Sequence, residues 1–320
     1  MRFCLMSEPQ QGLSYEDILA LTRAAEEAGF EAYFRSDHYA SFPGGAGKPT
    51  TDAWATLAGL ARETARINLG VLVSPVTFRL PGNLAKVVTT VAEMSDGRVE
   101  VGLGAGWNEE EHRQLGLRFP PTGERFDMLE EQLAILHGLW TEPDGWSYEG
   151  RHWQLADALF YPKPPARDGR RHPNILAGGA GGPRMARLVA QYADELNISS
   201  AAPAKIGEAF ARLDGACRDV DRDPAEVTRS AMTGVLVGRN QDEVRRRVRE
   251  LMAALGDTGD GDAEAWLAER RQRWVIGTPD EARRQVATFE EAGAQRLMLQ
   301  DFLPRDLEMV ALLGEVLIEG

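Results

Sequence analysis

The residues best suited to chemistry stand where apolar runs give out. Residues 32–36 read as a strand that ends at Asp37-His38. An imidazole near its unperturbed pKa moves a proton readily at neutral pH, and a carboxylate beside it can take part in acid–base work. Adjacent residues on a strand point to opposite faces, so both reach one cavity only if the turn begins at Asp37. The alternative is that Asp37 caps a turn and His38 fills a polar pocket. A second candidate is the run Gly178-Gly179-Ala180-Gly181-Gly182 before Pro183. Free backbone N–H groups at a helix N-terminus suit a phosphate, although such glycines also make plain loops. The third is residues 99–112, VEVGLGAGWNEEEH. Its apolar start closes in Gly102-x-Gly104-x-Gly106, where a missing Cβ allows close backbone approach. A dinucleotide-binding turn would pass straight from such glycines into an apolar-periodic helix. Here Trp107, Asn108, three glutamates and His112 intervene, and the next clear helix starts near Gly123. Trp107 and Phe78 either line an aromatic ring or simply pack, and Asn108 with Glu109, Glu110 and Glu111 reads equally as a solvated loop.

Other chemistries lack their parts. The five histidines (38, 112, 137, 152 and 172) are dispersed, and Cys4 and Cys217 form no metal-ligand spacing. No Gly-x-Ser-x-Gly elbow or Walker sequence occurs, so a hydrolase or phosphoryl-transfer reading has no nucleophile or phosphate loop. With 36 basic against 49 acidic residues the net charge is −13, which disfavours nucleic acid as a partner. A small anionic cofactor could still be held locally by helix N-termini and by cations such as Lys48, Arg79 and Arg184. No apolar run approaches ~20 residues and the chain opens on a strand pattern, so a cytoplasmic protein with reduced cysteines and no membrane partner is expected.

The elements that must position these residues follow a strand–helix rhythm. Strands are expected at 2–7, 32–36, 67–76, 99–104, 174–177, 196–199, 230–237 and 296–300, each followed by at least one helix. Ser14, Asp52 and Thr278 read as helix caps. Residues 141–172 break the rhythm with a short hairpin and a Pro-rich run. Residues 240–274 hold two helices split at 256–261, an excursion longer than a barrel turn needs. Eight such units in 320 residues favour an α/β fold, a (β/α)8 TIM barrel filling residues 1–320 as one domain, with a doubly wound open sheet as the alternative. In a barrel the C-terminal strand tips make the site. Here they carry Ser7 and Glu8; Ser36, Asp37 and His38; Ser74 and Thr77; Gly106, Trp107 and Asn108; Gly178 and Gly179; Ser199 and Ser200; Gln300 and Asp301.

Phe34-Arg35-Ser36-Asp37-His38, the stretch LGVLVSPVTFR at 69–79, Ser95-Asp96-Gly97-Arg98, GLGAGWNE at 102–109, Glu124-Arg125-Phe126 and Ala177-Gly178-Gly179 occur in this order. Together they resemble the bacterial luciferase-like superfamily, and within it the coenzyme F420-dependent oxidoreductases. The resemblance spans nearly the whole chain. It implies a barrel with insertions after strands 4 and 7, a homodimer, and a deazaflavin lying across the strand tips. A bulge in strand 3, with a non-proline cis peptide at Leu72-Val73, would back the ring. Asp37 would bond the cofactor head, and His38 would act near the reacting carbon. Ser74, Thr77 and Asn108 would contact the cofactor, while Ala177, Gly178, Gly179 and Ala180 would hold its chain and phosphate. Trp107 and Phe78 would wall the substrate pocket. Sugar-phosphate dehydrogenases of this family carry a catalytic glutamate right after the glycine run, where this chain has Trp107, with Glu109 and Glu110 two and three residues later. That departure turns the expectation towards hydride transfer from reduced F420 to a C=C or C=N bond of a small organic substrate. Two alternatives stand beside it: an FMN-dependent monooxygenase using O2 and a partner reductase, and a non-catalytic flavin- or F420-binding protein.

Overall fold

The computed structural model describes residues 1–42, 47–167, 169–255 and 263–319. The expected helix break at 256–261 and part of the Gly/Pro loop after Phe42 lie outside the described residues. In chain order the elements begin β1 (Arg2–Ser7), α1 (Tyr15–Glu27), β2 (Ala32–Arg35), α2 (Ala53–Glu63), β3 (Asn68–Pro75), α3 (Pro81–Met94) and β4 (Val99–Gly104). The first excursion follows: α4 (Glu109–Leu115), α5 (Thr122–Thr141), β5 (Trp146–Glu149) and β6 (Gln154–Ala158). Then come β7 (Asn174–Gly179), α6 (Pro183–Tyr192), β8 (Glu195–Ser199), α7 (Pro203–Asp219) and β9 (Thr228–Val237). A second excursion, α8 (Gln241–Ala254), α9 (Ala263–Arg270), β10 (Val275–Gly277) and α10 (Pro279–Glu291), precedes β11 (Arg296–Asp301) and α11 (Leu307–Leu317).

Local chemistry explains the helix starts. The Ser14 hydroxyl accepts the Asp17 N–H at 3.1 Å while the Asp17 carboxylate accepts the Ser14 N–H at 3.0 Å, a reciprocal cap. Asp52 caps α2 through the Ala55 N–H at 2.9 Å, and Thr278 with Glu281 closes the same kind of box on α10. The polar run after Asn108 is not a solvated loop but helix α4. Three glutamates in its first turn suit the positive end of the helix dipole, and Gly116, at φ 69°, ends it in the left-handed conformation.

β1 pairs in parallel with both β2 and β11, and the ring runs on through β3, β4, β7, β8 and β9 back to β11. The β8–β9 pairing, from Glu195↔Thr228 to Ser199↔Met232, closes it, so the open-sheet alternative is excluded. This is a (β/α)8 barrel of the α/β class, with its excursions after the fourth and seventh barrel strands. β5 and β6 form the expected antiparallel hairpin. β10 was not foreseen: β9 is long enough to fork, pairing with β11 from Ser230 to Val235 and with β10 from Val235 to Val237.

The barrel interior holds Cys4, Met6, Phe34, Leu72, Leu176 and Met298. At the N-terminal strand ends the Arg296 guanidinium binds Glu195 at 2.6 Å and Glu100 at 2.8 Å, all three buried, and stoppers that end of the barrel. The opposite end is left for a ligand. Both cysteines are buried and unbridged, and among the described residues no helix is long and apolar enough to cross a membrane.

Candidate active site at the C-terminal strand tips

β3 does not keep step with its neighbour. Val71 pairs with Val101 but Ser74 with Leu103, so β3 spends three residues where β4 spends two. The extra chain is Leu72-Val73, joined by a cis peptide bond. The bulge presses Val73 against two glycines, one on β4 and one on β7. A Cβ on Gly104 would lie 2.6 Å from Val73 Cγ2, and one on Gly178 would lie 2.8 Å from Val73 Cγ1. Part of the glycine pattern around strands 4 and 5 of the barrel therefore serves the bulge.

Above the bulge opens a cavity of about 720 Å³. Its floor is Met6, Leu72, Val73 and Met232. One wall carries His38, Phe42 and Trp107, the opposite wall the run from Gly178 to Met185, and Glu8 and Gln300 stand at the edge of the floor. The His38 ring is held edge-on by Phe42, centroids 4.5 Å apart, and by Trp107 at 5.6 Å. Its Nδ1 lies 2.9 Å from Glu111 Oε1 and 3.2 Å from Glu111 Oε2, and Oε2 also accepts the Tyr39 N–H at 3.0 Å. Glu111 is only 1 % exposed, whereas Glu109 and Glu110, the carboxylates singled out from the sequence, face solvent.

Asp37 and His38 lie past the end of β2 at Arg35, and their side chains go to different partners. The buried Asp37 carboxylate accepts the Ser74 hydroxyl at 2.7 Å and is clasped by the Arg79 guanidinium. Arg79 also binds Asp52 at 2.5 Å and the Tyr39 hydroxyl at 2.8 Å, and Ser74 accepts the Trp54 indole N–H at 3.0 Å. Burial works against the Arg79 charge, but Asp37 and Asp52 outweigh it and raise its pKa further. Burial, then the bond to Asp52, pushes the Tyr39 phenol up. Thr77 bonds His112 Nε2 at 2.6 Å, and His112 Nδ1 bonds the Asn108 carbonyl at 2.7 Å. Phe78 stacks on Tyr39, centroids 4.6 Å apart, and Ala177 is sealed in the barrel wall. The structure thus brings His38, Leu72, Val73, Trp107, Gly178, Gly179 and Ala180 to the cavity. It places Asp37, Ser74, Thr77, Phe78, Asn108 and Ala177 behind its walls.

Phe42 and Glu111 were missed from the sequence. Only recognition of α4 as a helix, which turns Glu111 and His112 inward together, would have found the second. Of the three suggested cations, Arg184 lines the cavity, where it pairs with Asp127 and lies 3.6 Å from Glu130. Arg79 is consumed by its carboxylates, and Lys48 Nζ bonds Gln11 at 3.2 Å beside a smaller neighbouring cavity. Gly182 caps α6 without a side-chain bond, so the first N–H groups of that helix are open to an anion. At the tip of β11, burial pushes the Asp301 carboxyl up to about 7. Among the described residues no group of His, Cys, Asp and Glu could hold a metal ion.

The comparisons with known proteins agree with this geometry. An uncharacterized protein of Mycobacterium tuberculosis is 31% identical over 190 residues, covering 55% of this chain and 64% of that relative, so the match spans less than two thirds of its length. The F420-dependent glucose-6-phosphate dehydrogenase of Beutenbergia cavernae is 29% identical over 311 residues, 89% of this chain and 87% of that one. The solved structure of an F420-dependent secondary alcohol dehydrogenase in complex with an F420-acetone adduct superposes with a TM-score of 0.81 at 21% identity, covering 99% of this chain and 98% of that one. The profile of the luciferase-like monooxygenases matches residues 1–296, in keeping with the closed barrel and its bulged third strand, and the chain belongs to that family.

Proposed function

We propose that this protein is an F420-dependent oxidoreductase that moves a hydride between the deazaflavin and a carbinol or carbonyl carbon of a small organic substrate, with His38 exchanging the accompanying proton. The observation that carries the reading is His38 itself: a titratable ring on the wall of a 720 Å³ cavity, backed by a buried carboxylate. The expectation of C=C or C=N reduction rested on the loss of a glutamate at Trp107. Glu111 restores a carboxylate to the site from one turn of helix further on, so that ground for excluding an alcohol or ketone falls away.

The residues fit the cofactor. The cavity volume lies within the roughly 300–1,000 Å³ usual for small-molecule sites. Leu72 and Val73 offer an apolar bed for a flat ring system, and Gly104 and Gly178 let the bulge stand proud of the barrel wall. Gly179, Ala180 and the open N-terminus of α6, with Arg184, suit a phosphate. When bound, the deazaflavin supplies or takes up the hydride. Phe42 and Trp107 would flank the substrate on the wall beside His38. His38 takes the hydroxyl proton of an alcohol, or returns it to the oxygen of a carbonyl.

The test is a fluorescence titration of the cofactor-free protein with F420 and, separately, with FMN, followed by anaerobic assays. Secondary alcohols are offered with oxidised F420, and ketones, enones and imines with reduced F420. Binding of F420 with transfer of deuterium from a carbinol C–D bond supports the reading. In the His38→Ala variant turnover should fall about 10²–10⁴-fold with cofactor affinity little changed. Turnover of enones or imines alone returns the reaction to C=C or C=N bonds. Binding of FMN alone, with oxygen-dependent turnover, replaces it with a monooxygenase, and F420 binding without any turnover leaves a carrier protein.

A further inference from the structure

Glu111 comes to His38 from an element that shares no strand tip with it, and it spends its whole carboxylate on one task. Both oxygens face His38 Nδ1, at 2.9 and 3.2 Å, and one of them also accepts the Tyr39 N–H at 3.0 Å. Carboxylate oxygens accept hydrogen bonds, so this contact suits an Nδ1 that carries the proton. The Tyr39 donor is main chain, fixed by the turn after β2, and it anchors the carboxylate against rotation. Phe42 and Trp107 hold the ring on its other sides, edge-on at 4.5 and 5.6 Å, and oppose the half-turn that would exchange the two nitrogens.

We propose that Glu111 is the positioning residue of this site: it locks His38 in the Nδ1–H form, so that Nε2 is the single atom that exchanges a proton with substrate. Its role in turnover rests on the hydride-transfer reading, but the protonation pattern of the ring does not. As an alcohol is oxidised, the carbinol C–H bond breaks with its electron pair going to the deazaflavin, which is reduced. The O–H proton passes to the bare Nε2, and the C=O bond forms. In reverse, the Nε2–H of the imidazolium gives its proton to the carbonyl oxygen as the carbon gains the hydride. Nδ1 stays protonated throughout, and Glu111 never touches the substrate.

The experiment uses the full chain labelled with ¹⁵N-histidine, its His38 signals assigned by difference against His38→Gln. Long-range ¹H–¹⁵N correlations at neutral pH distinguish the two neutral forms of the ring. Wild type is expected in the Nδ1–H form. In Glu111→Gln the amide oxygen can keep the Tyr39 N–H while its NH2 faces Nδ1, which favours the Nε2–H form. That form presents a donor where an acceptor is needed, so kcat for alcohol oxidation should fall about 10–100-fold, with KM and F420 affinity changed little. Glu111→Asp, which keeps the charge, should recover part of the loss. A wild-type ring in the Nε2–H form overturns the proposal, whatever the variants do. So does Glu111→Gln with an unchanged ring form and unchanged kcat. If Glu111→Gln fails to fold, the wild-type spectrum and Glu111→Asp still decide. An Nδ1–H ring in a protein that turns over no alcohol, ketone, enone or imine with F420 would sink the hydride-transfer reading and leave the ring-orienting role standing.

Discussion

Gly104→Ala tests the claim that the bulge of β3, and with it the cavity floor, depends on missing side chains in neighbouring strands. The new Cβ would lie 2.6 Å from Val73 Cγ2, where carbon atoms pack best at about 3.5–4.0 Å. Val73 therefore has to give by about 1 Å. It cannot do so by sliding across the barrel, because its other methyl already occupies the space that a Cβ on Gly178 would fill. Over-packing of this kind costs about 1–3 kcal/mol. In a Val73→Ala background both methyls are gone, and the atoms nearest the new Cβ are Val73 Cβ and the Gly178 carbonyl oxygen, each at 3.6 Å, an ordinary contact. There the substitution should be neutral or gain about 0.5 kcal/mol, since alanine suits a strand better than glycine. Urea unfolding of the wild type, both single variants and the double variant gives the coupling directly, and about 1–3 kcal/mol is expected. Cofactor affinity should follow, weakened in Gly104→Ala because Val73 is driven up into the cavity. Gly215→Ala, inside α7 and away from the cavity, is the control, with no atom within 4 Å of the added methyl, and should not lower stability. Equal losses in both Val73 backgrounds would refute the reasoning, because the methyl would then be clashing with something other than the bulge.

Three further outcomes can be measured. The Asp301 carboxyl, pushed up to about 7 by burial from an ordinary 3.8, binds its proton more tightly folded than unfolded. Its contribution is therefore full below about pH 4 and lost as pH rises through about 7, a span of about 4 kcal/mol; urea melts of Asp301→Asn against wild type across that window should show the falling limb removed, and parallel curves would contradict it. Arg296→Met strands the buried carboxylates of Glu100 and Glu195 at the barrel base and should cost about 3–5 kcal/mol in urea unfolding, most of it recovered when both glutamates are also made glutamine. Asp127→Asn releases the half-exposed Arg184 from its nearest carboxylate and should tighten binding of a phosphate-bearing cofactor by about 2–5-fold in a fluorescence titration; unchanged or weaker binding would show that Arg184 does not face the phosphate.

The barrel could be read from the chain because its signals are local. Apolar runs of strand length, helix caps at Ser14, Asp52 and Thr278, and glycines after helices each declare themselves within a few residues, and the structure places them where expected. What stayed hidden was set by partners far along the chain. β10 exists because β9 is long enough to fork, and three residues carry no pattern of their own. Helix α4 was hidden by its composition: a run of glutamates looks solvated until the fold turns one of them inward.

The strand tip shows why residue type alone does not name the partner of His38. Asp37 is the carboxylate beside His38 in sequence, yet the turn after β2 sends the two side chains to different partners, so adjacency in the chain does not make contact in space. Asp37 instead meets Ser74 and Arg79 from the next strand and its loop, and Arg79 in turn gathers Asp52 and Tyr39, so the network stiffens the mouth from behind. The ring is left to a carboxylate 73 positions later in the chain. A barrel makes such an exchange natural, because all of its tips converge on one opening and a short helix at any tip can reach across it. The loss of a glutamate at the end of the glycine run therefore says little about whether the site has a carboxylate. What matters is which side chains converge on His38, and here it is Glu111 that does.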